Sequence, residues 1–181
     1  MSQSIARTAE HVAAGHPDKF CDQVADRILD EVLKFAAEEP QSLSTIRTAI
    51  ECLAKDNLLI ISGEVKLPEQ VRSQVDVVAL ARGVWSELGY SENLEDLTVI
   101  DHIRSQSVDI AQGAGTGTDA GGAGDQGVMV GYATAENDEM VPQEWLLARN
   151  LCQSLHDHRV EQTIPWLRAD CKTQVSLDPN G

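Results

Sequence analysis

His16, Asp18, Glu51 and Glu64 are the residues in the first part of the chain whose types and settings could do chemistry. The stretch GHPDKFCDQVADRILD, residues 15–30, sets a histidine, a proline and an aspartate at the mouth of an amphipathic pattern. Pro17 suits the first helical position, where its missing N–H costs nothing. Two readings of its neighbours follow. In the first, His16 caps the helix weakly and Asp18 complements the positive end of its dipole. In the second, the exposed helix amides and His16 face a phosphoryl group while Asp18 holds Mg²⁺ against it, with Gly15 letting the backbone come close. The stretch alone is compatible with both.

Glu51 lies within an apolar run, TAIECLA, where it either points to solvent or is buried and needs a cation or donor. Glu64 follows Gly63 near a strand end, where ligand-binding groups collect. Asp170 and Lys172 stand at the start of a late strand, and Lys172 either meets a phosphate or is simply solvated. His156 and His158 form H-x-H near a helix end, but residues two apart do not share a helix face, which argues against a shared metal. Gly122-Ala-Gly124-Asp-Gln-Gly127 matches G-x-G-x-x-G letter for letter. A dinucleotide site needs a strand before it and a helix after it; here a glycine-rich loop precedes and a strand pattern follows, so that reading fails. No G-x-x-x-x-G-K-[ST] occurs, which excludes a P-loop. Asp125 remains as a polar group in a glycine setting suited to a lid or a ligand contact.

The elements that must position these groups read as follows. Phe20, Cys21, Val24, Ile28, Leu29, Val32 and Leu33 recur at helical spacing from Pro17, and Glu38-Glu39-Pro40 ends that helix. Residues 43–66 predict a β-hairpin around the turn KDN. Pro68 opens a second helix with Val71, Val75, Val78, Trp85 and Leu88 on one side, closed by Gly89. LTVIDHI predicts a short strand. Residues 106–127 hold seven of the chain's thirteen glycines and predict a long functional loop. VMVGYAT predicts a strand after it. A third helix starts near Pro142 with Trp145, Leu146, Cys152 and Leu155 inward, and CKTQVSL is the final strand. The turn signal DPNG then reads as a hairpin left half finished, which predicts one piece of a larger or split protein.

Composition narrows the class. The 181 residues are 42% hydrophobic and 24% charged, as in globular proteins. Acids outnumber bases 29 to 14, for a net charge of −15, a field that repels nucleic acid and anionic lipid surfaces. A bound divalent cation can reverse that sign locally. No run of eighteen apolar residues and no leader pattern occurs, which predicts a cytoplasmic, soluble protein. Cys21, Cys52, Cys152 and Cys171 lie far apart without C-x-x-C, so reduced thiols are expected rather than a zinc site.

Five blocks, in order, carry a resemblance: TAEHVAAGHPDKFCDQVADRILD, ECLAKDNLLIISGEV, RSQSVDIAQG, GAGDQGVMVGYAT and IPWLRADCKTQV. Each resembles the corresponding block of the S-adenosylmethionine synthetases (methionine adenosyltransferases), and GHPDK and GAGDQG are the most specific of them. The resemblance covers essentially the whole chain but only about the first half of a family enzyme. It implies an α+β fold of mixed and antiparallel sheets with helices packed on one face, part of a three-domain arrangement with pseudo-threefold symmetry. It also implies interleaved domains: residues 1–15 with 128–181 in one, 16–105 in a second, and 106–127 as a mobile active-site loop.

Family activity joins L-methionine to ATP. The methionine sulfur displaces the whole triphosphate from C5′, and the triphosphate is then split to phosphate and pyrophosphate, with two Mg²⁺ and one K⁺ assisting. By motif matching, His16 lies beside the breaking C5′–O5′ bond and acts with Lys172 in catalysis. Glu10, Asp170 and Lys172 contact ATP with His16. Glu64, Gln106 and Asp125 contact methionine, Asp18 ligates Mg²⁺ and Glu51 ligates K⁺. The loop segment GAGTGTDAGG is more glycine-rich and less charged than the usual family loop. The basic stretches of the family's second half, which grip the triphosphate, are absent, so a complementary chain and an oligomer with inter-subunit active sites are implied. A non-catalytic regulatory subunit that binds methionine or ATP beside a full-length synthetase is the alternative. A self-sufficient triphosphate hydrolase would need a basic cluster this chain lacks.

Overall fold

A computed structural model of the chain describes residues 6–37, 46–91, 93–106 and 128–178. The elements in order are β1 (Arg7–Val12), α1 (Pro17–Ala37), β2 (Arg47–Lys55), β3 (Leu58–Lys66), α2 (Glu69–Arg72), α3 (Val77–Glu87), a 3₁₀ turn (Leu94–Asp96), β4 (Thr98–Ser105), α4 (Gln143–Val160) and β5 (Lys172–Leu177). They divide between two compact units. One takes residues from 1–19 and 129–181, the other residues from 20–128. Each has helices on an antiparallel or mixed sheet, the α+β class. No helix among the described residues is long and apolar enough to cross a membrane.

In the larger unit β2 and β3 form an antiparallel hairpin across a two-residue turn, with Asp56 at φ 52°. β4 joins β3 in parallel, giving the strand order β2-β3-β4. Alternation sends Leu59, Ile61 and Val65 of β3 and Ile103 of β4 into the core. α1 contributes Phe20, Val24, Ile28, Val32 and Ala36, one residue per turn. That stripe is narrower than its apolar periodicity predicts: Leu33 is exposed, and Cys21 and Leu29 are only half-buried. Phe20 meets Trp85 of α3 at 5.5 Å between ring centroids, and Trp85 stacks on Tyr90 at 4.1 Å. Arg27 of α1 grips Glu87 of α3 with two hydrogen bonds, of 3.0 and 2.6 Å.

The second helix predicted from Pro68 to Gly89 is two helices. The chain turns at Ser73-Gln74, and Asp76 starts α3 by accepting the Ala79 N–H at 3.0 Å. An aspartate whose side chain serves a helix amide favours a new N-terminus over a continued helix.

In the smaller unit β1 and β5 pair antiparallel, Arg7 opposite Leu177 and Val12 opposite Lys172. α4 packs on one face of this ribbon. Thr173 donates its hydroxyl to the Ala148 carbonyl at 2.6 Å, and His11 stands edge-on to Trp145. α4 buries Glu144, Ala148 and Cys152, whereas Trp145, Leu146 and Leu155, predicted inward, are half-buried. Residues 128–134, predicted as a strand, join no ladder among the described residues. A strand needs a hydrogen-bonding neighbour, which the residues of one segment cannot supply. Residues 107–127 and Pro179-Asn180-Gly181 of the DPNG turn lie outside the described residues.

These packing differences set a test. Phe20→Ala is expected to cost about 3–5 kcal/mol in urea unfolding, and Leu33→Ala less than about 0.5 kcal/mol. Equal costs would mean that the α1 stripe is misassigned.

Candidate functional site

The GHPD turn is built against the end of the chain. After β1, the Ala13 N–H donates to the Cys171 carbonyl at 2.9 Å, extending the β1–β5 ladder by one bond. The His16 N–H then donates to the Ala13 carbonyl at 2.9 Å and closes a tight turn into α1. Gly15 lies at its centre, buried. A Cβ there would stand 2.4 Å from the Ala169 carbonyl oxygen, so backbone meets backbone and only glycine fits. This clasp holds the Gly15–His16 turn against Ala169–Cys171, and Asp18 and Asp170 both act by charge on Lys172.

His16 occupies the cap position of α1. Its Nδ1 accepts the Asp18 N–H at 3.2 Å, which serves one of the four amides a helix start leaves open. With Nδ1 accepting, the neutral ring carries its proton on Nε2. The imidazole is 19% exposed, while the Asp18 carboxylate beside it is 86% exposed, its Oδ2 3.7 Å from Nδ1 and too long for a hydrogen bond.

Alternation along β1 and β5 collects a second group. Glu10 lies opposite Gln174, and Lys172 is one diagonal away. Lys172 Nζ donates to Glu10 Oε2 at 2.9 Å, and Gln174 Nε2 donates to Glu10 Oε1 at 2.8 Å. Hydrogen bonding and then charge attraction from Lys172 hold the Glu10 carboxyl below its usual range. Glu10, first by hydrogen bond, then Asp18 and Asp170 by charge, hold the Lys172 ammonium above its own. One ammonium thus sits among three carboxylates. The pair is solvent-exposed, so salt screens it.

Among the described residues no three His, Cys, Asp or Glu side chains converge as a metal cage. Asp18 instead offers one open carboxylate. Mg²⁺ is commonly held in that way, by one or two carboxylates while phosphate and water oxygens complete its octahedron. The donor therefore fits Mg²⁺ as a shared ligand.

The other predicted residues belong to the larger unit. Glu64 on β3 is half-buried and pairs in register with Ala49 and Arg104. Gln106, just past β4, donates its N–H to the Val65 carbonyl at 2.8 Å, so it shares the C-terminal end of the β3–β4 pair with Glu64. Glu51 on β2 is exposed and lies on the same sheet face as Glu64, one diagonal away. Asp125 lies outside the described residues. Glu10, His16, Asp18, Asp170 and Lys172 thus form one set, and Glu51, Glu64 and Gln106 another.

The sequence reading did not find β1, and with it missed Gln174 as a partner of Glu10 and Ala169 as the wall against Gly15. The alternation of Thr8, Glu10 and Val12 with Arg7, Ala9 and His11 was the available signal. Of the H-x-H pair, His156 lines a pocket of about 230 Å³ with His11 and Cys152, whereas His158 bonds Thr163 Oγ1 at 2.7 Å and helps close α4.

Comparison with known proteins adds an independent finding. The family description "S-adenosylmethionine synthetase, N-terminal domain" matches residues 4–108, and "S-adenosylmethionine synthetase, central domain" matches residues 120–180. The S-adenosylmethionine synthase of Mycoplasmopsis pulmonis is 40% identical over 171 residues, covering 94% of this chain and 42% of that protein. Those of Treponema denticola and Rhodospirillum centenum are 36% and 38% identical, over 44% and 43% of their lengths. The chain therefore spans well under half the length of these curated relatives.

Two substitutions separate close packing from ordinary glycine use. Gly15→Ala is expected to cost at least about 1–3 kcal/mol in urea unfolding, because backbone must move. Gly83→Ala, on α3 with open space around it, is expected to stabilise by about 0.4–1 kcal/mol. A neutral Gly15→Ala would remove the clasp. The pH dependence has a defined sign. Glu10, lowered in the fold, contributes stability above its ordinary 4.5 that is lost as pH falls through its lowered value. Lys172, raised, contributes below its ordinary 10.5 and loses that as pH rises through its raised value. In Lys172→Ala, carboxyl NMR titration should show Glu10 returning toward 4.5, and an unchanged Glu10 would break the pairing.

Proposed function

The chain belongs to the S-adenosylmethionine synthetase family, and on that premise we propose that it forms S-adenosylmethionine from ATP and L-methionine in partnership with a complementary chain. The observation that carries this reading is the clasp of Gly15 on Ala169, which gathers His16, Asp18, Asp170 and Lys172 at one place. In the reaction the methionine sulfur bonds to C5′ as the C5′–O5′ bond breaks. Sulfur gains positive charge and the departing triphosphate gains negative charge, so positioning and electrostatics dominate the barrier.

His16 suits the leaving oxygen. Its Nδ1 is occupied by the helix amide, which leaves Nε2–H as a fixed donor toward C5′–O5′. Lys172 exchanges Glu10 for a phosphate oxygen when nucleotide arrives, with Glu10 and Asp170 as its neighbours at the ATP. Asp18 would hold Mg²⁺, which spreads triphosphate charge, and Glu51 would hold K⁺. Glu64 pairs with the methionine ammonium, and Gln106 and Asp125 contact the same substrate. The loop 106–127 acts as the lid.

Support for a partner chain comes from the surface: Val128, Met129, Val130, Tyr132 and Trp166 are at least 75% exposed. Such apolar exposure favours association. The cytoplasm is the expected compartment, and oligomeric active sites shared between subunits the expected state.

Native mass measurement of the protein from its host, followed by product formation from ATP and methionine with Mg²⁺ and K⁺, tests the reading. A second polypeptide with turnover is the expected result. Within that complex His16→Ala should lose about 10²–10³ in kcat, and His16→Asn should lose as much while keeping the helix cap and the unfolding midpoint. A lone chain that binds methionine or ATP without turnover, and alters a full-length synthetase, would instead establish the regulatory-subunit role.

A further inference from the structure

Cys152 and Cys171 are 19 positions apart in sequence, and their sulfurs lie 3.8 Å apart in the smaller unit. Their backbones are held from both sides. One helical turn before Cys152, Ala148 accepts the Thr173 hydroxyl at 2.6 Å, which pins α4 to β5. The Cys171 carbonyl accepts the Ala13 N–H at 2.9 Å. A disulfide needs its sulfurs at about 2.05 Å, so closure is a small side-chain adjustment between elements already in place. Cys152 is buried, at the edge of the 230 Å³ pocket lined also by His11, Lys19, Gln153 and His156, whereas Cys171 is only half-buried and so within reach of a small oxidant.

We propose that Cys152 and Cys171 are a redox-modification site, forming a reversible disulfide when the protein meets a hydroperoxide. Burial, and then the hydrogen bond to Cys171, push the Cys152 thiol up to about 11. Cys171, less buried, is therefore the sulfur oxidised first. Its thiolate attacks the peroxide; an S–O bond forms, the O–O bond breaks and hydroxide leaves, taking up a proton as water. Cys152 then attacks the sulfenic sulfur. The S–S bond forms, the S–O bond breaks, and the proton of Cys152 leaves with the second water. In sum two thiols and one hydrogen peroxide give one disulfide and two waters. Thiol reductant reverses it.

The bond would fasten α4 to the segment Ala169–Lys172 that cradles Gly15. Because Cys171 stands between Asp170 and Lys172, its closure also alters their setting; that consequence rests on the nucleotide reading above, whereas the bond does not.

The test treats the full chain with a few equivalents of hydrogen peroxide, then alkylates it under denaturing conditions and maps the peptides without reduction. Accessible thiols should fall from four to two, with the peptides of Cys152 and Cys171 joined and two hydrogens lighter. Dithiothreitol should restore all four, and the oxidised form should unfold several degrees higher. Cys171→Ser should abolish the cross-link, and a Cys21→Ser, Cys52→Ser double variant should keep it. Retention of four thiols, a cross-link through Cys21 or Cys52, a bond between chains, or sulfinic acid at Cys171 without a cross-link would each overturn the proposal. None of these readouts depends on turnover, so failure here is distinct from failure of the synthetase reading.

Discussion

The smaller unit depends on a backbone-to-backbone approach that leaves no room for a side chain. Gly15 rests on Ala169, and around that contact two segments from opposite ends of the sequence are sewn together. Glu10 and Lys172, 162 positions apart, meet across the β1–β5 ladder that this contact adjoins. A two-stranded ribbon is marginal by itself in water. Here α4 covers one face through Ala148, Cys152 and Trp145, while the uncovered face carries Glu10, Lys172 and Gln174. Packing on one side and chemistry on the other follow directly from the two-residue period of the strands. The cost of joining such distant segments grows only slowly with the loop between them, so the long intervening unit is no obstacle.

Electrostatics on the uncovered face are not those of a ready-made anion site. One ammonium faces Glu10, Asp18 and Asp170 in a chain of net charge −15. A polyphosphate approaching alone would be repelled. On the reading proposed above, Asp18 would hold a divalent cation beside the polyphosphate, and that cation would offset the repulsion. The ion pair to Glu10 meanwhile keeps Lys172 oriented and solvated without committing it. An exposed pair of this kind is weak, so little free energy ties Lys172 to Glu10.

What the sequence made legible follows how local each signal is. α1 was readable because Pro17 and the apolar spacing from Phe20 lie within one element, although packing buried only every fourth residue and left Leu33 outside. The β2–β3 hairpin was readable because its turn is two residues long. The break between α2 and α3 was missed because the apolar spacing of Val71, Val75 and Val78 runs on across it, while the Asp76 cap that starts α3 carries no weight in such a pattern. β1 escaped notice because its partner lies at the other end of the chain, and residues 128–134 were read as a strand from their own residues with no partner in view. The site behaved similarly. His16 and Asp18 stand in one short motif and were found together, as were Asp170 and Lys172. That Glu10 holds Lys172, and that Glu64 and Gln106 share one end of a parallel pair, required strand register, which only the fold supplies.

His16 joins the two halves of this account in a single ring. One nitrogen closes the amide end of α1, and that bond fixes which nitrogen carries the proton and where it points. A serine or aspartate would cap the helix at least as well, yet would present no second donor on the far side. A histidine elsewhere on the surface would present a donor without a fixed direction. Histidine at a helix cap, led in by a glycine that permits the turn and followed by a proline that starts the helix, supplies both. The stability of α1 and the aim of Nε2–H are therefore one property of the motif. Any change that loosens the cap also loosens the donor.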